Sequence, residues 1–285
     1  MGTPLLGRYV VIQPIGRGGV SMVYQAVDTR TPRSLAVKIL TPTLAGDDRA
    51  RANVKREALI TARLRHPSVP KVYDYGDAPL PDGTVVPYVV MELLSGKPLA
   101  ERLAAGRLPW REAVAIAATV ADVLAVAHRR GVVHRDLTAM NIMMTGYGPK
   151  IIDFGLATAT NGEQVGRRPV ILRPPVRRVT VPRHPVAVTS ADQPADDVYA
   201  LGVLLYQMLT GRSPYPKSTP MTYLAAGRFR CVAPTPVLPV PGLPREVADL
   251  TRRCMAKRRE DRPSSVDVAL DLWAILAPER TLAPI

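Results

Sequence analysis

His134-Arg135-Asp136-Leu137-Thr138-Ala139-Met140-Asn141, followed by Ile151-Ile152-Asp153-Phe154-Gly155, is the stretch on which the reading of this chain turns. Two carboxylates and an amide fall in loop-like sequence beside short apolar runs that predict strands. Upstream, the β-branched runs Arg8–Ile15, Ser21–Asp28 and Ser34–Leu40 predict strands, separated by glycine or Thr-Pro signals. From Asp47 to Leu64 the pattern turns helical, with Val54, Ala58, Leu59 and Ala62 on the apolar side, until His66-Pro67 stops it. Val69–Tyr75 and Val85–Leu93 are strands again, joined by a turn at Pro81-Asp82-Gly83. After Leu94 helices rich in Ala and Leu take over. Trp110–Arg130 and Asp197–Thr210 are apolar over most of their surface and so predict buried helices, and Ser264-Ser265-Val266-Asp267 reads as a capping box opening the last one. Strands first and helices later predict an α+β arrangement or two joined lobes.

The chemistry begins at Gly16-Arg17-Gly18-Gly19-Val20-Ser21-Met22-Val23, between two predicted strands. Glycines let backbone N–H groups approach phosphate oxygens, although a hairpin turn uses the same residues. A dinucleotide-binding reading fails, because a strand follows where a helix is required. Lys38 lies on the next strand among apolar neighbours. A buried ammonium needs a counter-charge, and Glu57 on the following helix can supply it. Phosphoryl transfer asks for a carboxylate near the attacking hydroxyl, oxygen ligands for Mg²⁺ and cations along the phosphates. Asp136, Asn141 and Asp153 are of the correct types.

On these motifs, in this order, the chain resembles the eukaryotic-type (Hanks-type) protein kinase family in its bacterial serine/threonine branch, from about Arg8 to Trp273. The resemblance implies a small five-stranded lobe with one main helix over residues 1–94 and a larger helical lobe over 95–285. It implies ATP and Mg²⁺ as cofactors and protein hydroxyls as acceptors. Gly16, Gly18 and Ser21 would form the glycine-rich loop, Val23 and Ala36 would also bind the nucleotide, and Lys38 would touch the α- and β-phosphates with Glu57 as its partner. Met91 would be the gatekeeper, and Glu92 to Leu94 the hinge that bonds adenine through its backbone. Asp136 would be the catalytic base, and Asn141 and Asp153 the Mg²⁺ ligands. Arg135, Asp197 at the start of the central helix (197–210) and Arg262 match structural positions of the family.

Two departures stand out. Thr138 occupies the place of the lysine that normally meets the γ-phosphate, and Ala139 that of a proline. A lost transition-state contact of this kind is worth about 2–4 kcal/mol, which predicts slow catalysis. The second departure is the segment 156–194, which lacks the Ala-Pro-Glu motif and leaves Arg262 without a partner visible in the sequence. In its place stand Arg167, Arg168, Arg173, Arg177, Arg178 and Arg183, read either as a solvated run or as a platform for acidic or phosphorylated partners. An arginine of this run could also reach the cleft and replace the missing cation.

Composition narrows the alternatives. A net charge of +14 and a pI near 10.2 raise the question of nucleic acid, yet no helix-turn-helix, RNA-binding aromatic pair or finger spacing accompanies the charge. Two cysteines, Cys231 and Cys254, imply neither a disulfide framework nor a zinc site and fit a reducing, cytoplasmic compartment. Met1–Val10 shows no leader pattern, and Ala113–Ala127, interrupted by Asp122, is too short and polar for a membrane span. The readings left are an ATP-dependent serine/threonine protein kinase and, as the alternative, a nucleotide-binding pseudokinase or scaffold with a basic partner-binding loop. A basic nucleic-acid adaptor on the same fold lacks any motif.

Overall fold

Alternation along a single strand organises the small lobe. In β4 (Arg33–Leu40), Leu35, Val37 and Ile39 face one side of the sheet, while Leu40 belongs to the cluster on the other side. This computed structural model describes residues 4–5, 8–17, 21–154, 158–159, 193–215 and 236–277. Around β4 lie β2 (Tyr9–Arg17), β3 (Ser21–Asp28), β5 (Val72–Pro79) and β6 (Val85–Glu92), with the two-residue β1 (Pro4–Leu5) added at one edge. The order is β1-β2-β3-β4-β6-β5, antiparallel throughout. Five full strands thus match the expectation for this lobe. One face packs Tyr9, Ala26, Val37, Val86, Tyr88 and Val90 together.

The opposite face is covered by helix α1 (Asp48–Arg63), which buries Ala50, Val54 and Ala58 against Leu40 and Val89. Asp47 caps it by accepting the N–H groups of Arg49 and Ala50, and Arg63 sits in the last turn, where a cation meets the negative helix end. Arg51 ties the helix to the sheet. It donates to the Ala45 and Val85 carbonyls at 3.3 and 2.8 Å and to Asp77 at 2.5 Å. Helix α1 therefore has one seat, and that seat decides where Glu57 lies.

The large lobe is built on α3 (Trp110–Arg129), reached through β7 (Gly96–Pro98) and α2 (Leu99–Ala104). Alanines such as Ala117, Ala121 and Ala125 are buried along α3, so neighbouring helices approach closely. After it come β8 (Val132–Val133), the hairpin β9 (Ile142–Thr145) and β10 (Gly148–Ile151), and the short β11 (Thr158–Ala159) paired with β8. Three further helices complete the described part: α4 (Pro194–Thr210), α5 (Arg245–Cys254) and α6 (Ser265–Leu276). The box at Ser264 forms, with Ser264 accepting the Asp267 N–H and the Asp267 carboxylate returning to Ser264. Helix α4 starts one turn before the expected Asp197. Pro194 at the first turn and a reciprocal Gln193–Asp196 box extend it into sequence without apolar periodicity. Gly18, Gly155 and residues 160–192, with the arginine run, lie outside the described residues.

Helices α4 and α5 meet at Gly202. A Cβ added there would lie 2.8 Å from Cys254 Cβ and 2.8 Å from Met255 Cγ, inside van der Waals contact. Gly202→Ala is therefore expected to destabilise the protein by about 1–3 kcal/mol, despite alanine's better helix propensity. A urea midpoint equal to or above wild type would show that the two helices are not in contact.

Candidate active site

Lys38 projects from β4 toward α1, and its side chain is only 11% exposed. Its ammonium lies 2.6 and 2.8 Å from the two Glu57 oxygens and 3.2 Å from Asp153 Oδ1. Burial pulls the Lys38 pKa down, but Glu57 and Asp153 more than offset it, so the group stays cationic above the usual lysine value. Burial pushes the Glu57 carboxyl up, and only Lys38 opposes it, because Asp153 pushes the same way. One ammonium faces two carboxylates, so the cluster keeps a surplus negative charge. Asp153 carries that surplus outward, being 43% exposed at its side chain.

Two non-glycine residues adopt left-handed backbone here, Arg135 at φ 71° and Asp153 at φ 65°. Such conformations are strained by about 1–3 kcal/mol each and persist only where the surroundings hold them. Asp197 in the first turn of α4 provides the hold for Arg135. Its carboxylate accepts the His134 N–H at 2.7 Å and the Arg135 N–H at 2.8 Å, and its side chain is 1% exposed. Beyond it, Phe154 is buried against the His134 ring, with centroids 4.7 Å apart, and burial lowers the His134 pKa. Asp136 and Asn141 then meet: Asn141 Nδ2 donates to the Asp136 carbonyl at 2.8 Å and to its carboxylate at 3.1 Å. Ile152 N–H donates to the Asn141 carbonyl at 2.9 Å, joining this loop to the approach to Asp153.

These donors suit Mg²⁺. Asp153 offers a half-exposed carboxylate, and the Asn141 amide, with its nitrogen committed to Asp136, leaves its oxygen free to ligate. Mg²⁺ takes oxygen ligands and is commonly held by one or two side chains together with phosphate oxygens and water. Strand pairing places the remaining expected residues of the small lobe. Gly16 pairs with Val23 across β2 and β3, and Val23 with Lys38 across β3 and β4. Ser21 opens β3 opposite Leu40 and is buried. Ala36 pairs with Met91, which with Glu57, Val89 and Asp153 lines a cavity of about 30 Å³. Glu92 and Leu94 follow, half-buried. Thr138 is exposed, at the start of the one-turn helix Ala139–Asn141.

Arg262 does have a partner, contrary to the reading of the sequence. Its guanidinium donates to the Ala195 and Ala256 carbonyls at 2.9 and 2.8 Å, approaches Asp196 at 3.4 Å and stacks over Tyr199 at 4.7 Å. Asp196 also takes two bonds from Arg259, at 2.9 and 2.8 Å. The acid comes from helix α4, not from an Ala-Pro-Glu motif. His128 was likewise missed. It bridges Ser265 Oγ at 2.8 Å and Asp197 at 2.9 Å, across 137 and 69 residues, and no local pattern announces such a link.

Residues 9–274 match the protein kinase domain family. The chain is 34% identical over 271 residues to the probable serine/threonine-protein kinase PknB of Bifidobacterium longum, covering 90% of this chain and 38% of that protein. It is 34% identical over 259 residues to the serine/threonine-protein kinase PknA of Mycobacterium tuberculosis, covering 90% and 58%. The chain thus spans less than two thirds of the length of these relatives. Among solved structures, the Mycobacterium tuberculosis PknI kinase domain superposes with a TM-score of 0.65 at 24% identity, covering 95% of this chain and 96% of that one.

Because Asp196 holds two arginines, Asp196→Ala should lower the unfolding free energy by about 1–3 kcal/mol. Unchanged stability in urea would mean that carbonyls and Tyr199 suffice to hold Arg262.

Proposed function

The chain belongs to the protein kinase family, and on that premise we propose that it transfers the γ-phosphoryl group of ATP to serine or threonine hydroxyls of proteins, with Mg²⁺. The observation that carries this reading is the convergence of Lys38, Glu57 and Asp153 within 3.2 Å, from positions 19 and 115 residues apart. A fold alone does not require a buried cation with two carboxylates in a cleft.

Lys38, held by Glu57, presents its charge to the α- and β-phosphates. Asp153 and Asn141 would hold Mg²⁺, which when bound neutralises phosphate charge. The hinge from Glu92 to Leu94, with Ala36 and Met91, would hold the adenine. Asp136, kept in place by Asn141, accepts the proton of the acceptor hydroxyl. The location that fits is the cytoplasm, where ATP is supplied. Among the described residues no helix is long and apolar enough to cross a membrane.

Thr138 supports a second reading, a nucleotide-binding pseudokinase or scaffold whose basic loop between Arg167 and Arg183 takes acidic or phosphorylated partners. That loop lies outside the described residues. Incubation with labelled ATP and Mg²⁺ separates the readings. The wild type should transfer label, and Asp136→Asn should lose transfer while keeping nucleotide affinity. No transfer by wild type despite tight nucleotide binding would favour the pseudokinase.

In an active enzyme that lacks the cation, Thr138→Lys should raise kcat by roughly ten-fold or more, since a transition-state contact is worth a few kcal/mol. A lysine variant no faster than wild type would mean that the γ-phosphate is already neutralised by another group.

A further inference from the structure

A closed ring of bonds joins three separate pieces of chain where the two lobes meet. At the end of β6, Glu92 accepts Lys150 Nζ on Oε1 at 2.6 Å and the Lys71 N–H on Oε2 at 3.2 Å. The Glu92 N–H donates to the Lys71 carbonyl at 2.8 Å. The ring closes through β10, where Ile151, next to Lys150, donates its N–H to the Ser68 carbonyl at 2.8 Å. Residues 68–71, the hinge and β10 are therefore held as one piece.

The pair is sheltered, with Lys150 14% and Glu92 26% exposed at their side chains. Exposed pairs contribute little, whereas sheltered ones are screened less and constrain geometry more strongly. What the ring constrains is specific. Glu92 begins the hinge stretch, and β10 leads within two residues of its end to Asp153, which lies 3.2 Å from Lys38. Both ends of a nucleotide, the base and the phosphates, would be met by groups whose separation this pair fixes.

We propose that Lys150 is a positioning residue for the nucleotide: through Glu92 it sets the distance between the hinge and Asp153, so that base and phosphates are bound together. The inference rests on the nucleotide site proposed above. Lys150 would touch neither base nor phosphate, so its effect falls on affinity more than on the chemical step.

Calorimetric titration of the whole chain with ATP and Mg²⁺ tests it, on wild type, Lys150→Met, Lys150→Arg, Glu92→Gln and the Lys150→Met/Glu92→Gln double variant. Lys150→Met should weaken binding about ten-fold, and the double variant should be little worse than the weaker single, because each abolishes the same ion pair. Lys150→Arg should recover most of the affinity. In steady-state transfer the KM for ATP should rise by more than kcat falls. If Lys150→Met does not fold, Glu92→Gln against Glu92→Gln/Lys150→Arg interrogates the same bond, with no further loss expected in the pair. Wild-type affinity in Lys150→Met or in Glu92→Gln, or losses that multiply in the double variant, would overturn the proposal. A wild type that binds no nucleotide would instead remove the site on which it rests.

Discussion

An ammonium buried in a protein must find negative charge within reach, and Lys38 is buried in the sheet of the small lobe. Much of the cleft follows from meeting that demand. Helix α1 has to sit so that Glu57 reaches the ammonium, and its Asp47 cap, its apolar contacts and Arg51 converge on one placement. The chain beyond β10 has to bring Asp153 to the same point, in a left-handed backbone that leaves its carboxylate half-exposed. The cluster joins β4, α1 and the end of β10. Its surplus negative charge marks where a metal cation is favoured.

The large lobe solves a different problem, holding a strained loop still. Asp197 receives two backbone N–H groups and His128, and His128 is fixed in turn by Ser265 at the start of α6. The loop bearing Asp136 is thereby tied to α3, α4 and α6. A second acidic residue on the same turn, Asp196, gathers Arg259 and Arg262. Adjacent carboxylates at one helix start serve two neighbouring tasks, and the positive end of the helix favours both.

Much of this was legible in the sequence, for physical reasons that can be named. Runs of β-branched residues bounded by glycine or Thr-Pro signals marked the strands around Lys38, and the Ser264 box marked the last helix because capping is local chemistry. The pairing of Lys38 with Glu57 could be foreseen, since a lysine among apolar residues needs a partner and the next helix offered one. The partner of Arg262 could not, because Asp196 lies 66 residues away and only the folded chain brings them together. The Glu92–Lys150 and His128–Ser265 links escaped for the same reason, at separations of 58 and 137 residues. The early start of α4 was hidden because Gln193 and Pro194 act through capping and a fixed φ, not through apolar periodicity.

We propose that Lys38, Glu57, Asp153 and Asn141 together form a seat for a metal-bound nucleotide. The most direct measurement is the affinity for ATP by calorimetry, with Mg²⁺ and again with a chelator in its place. Binding should be at least about ten-fold tighter with Mg²⁺, because Asp153 repels bare phosphates and attracts them through the ion. Equal affinity under the two conditions, or none under either, would contradict it.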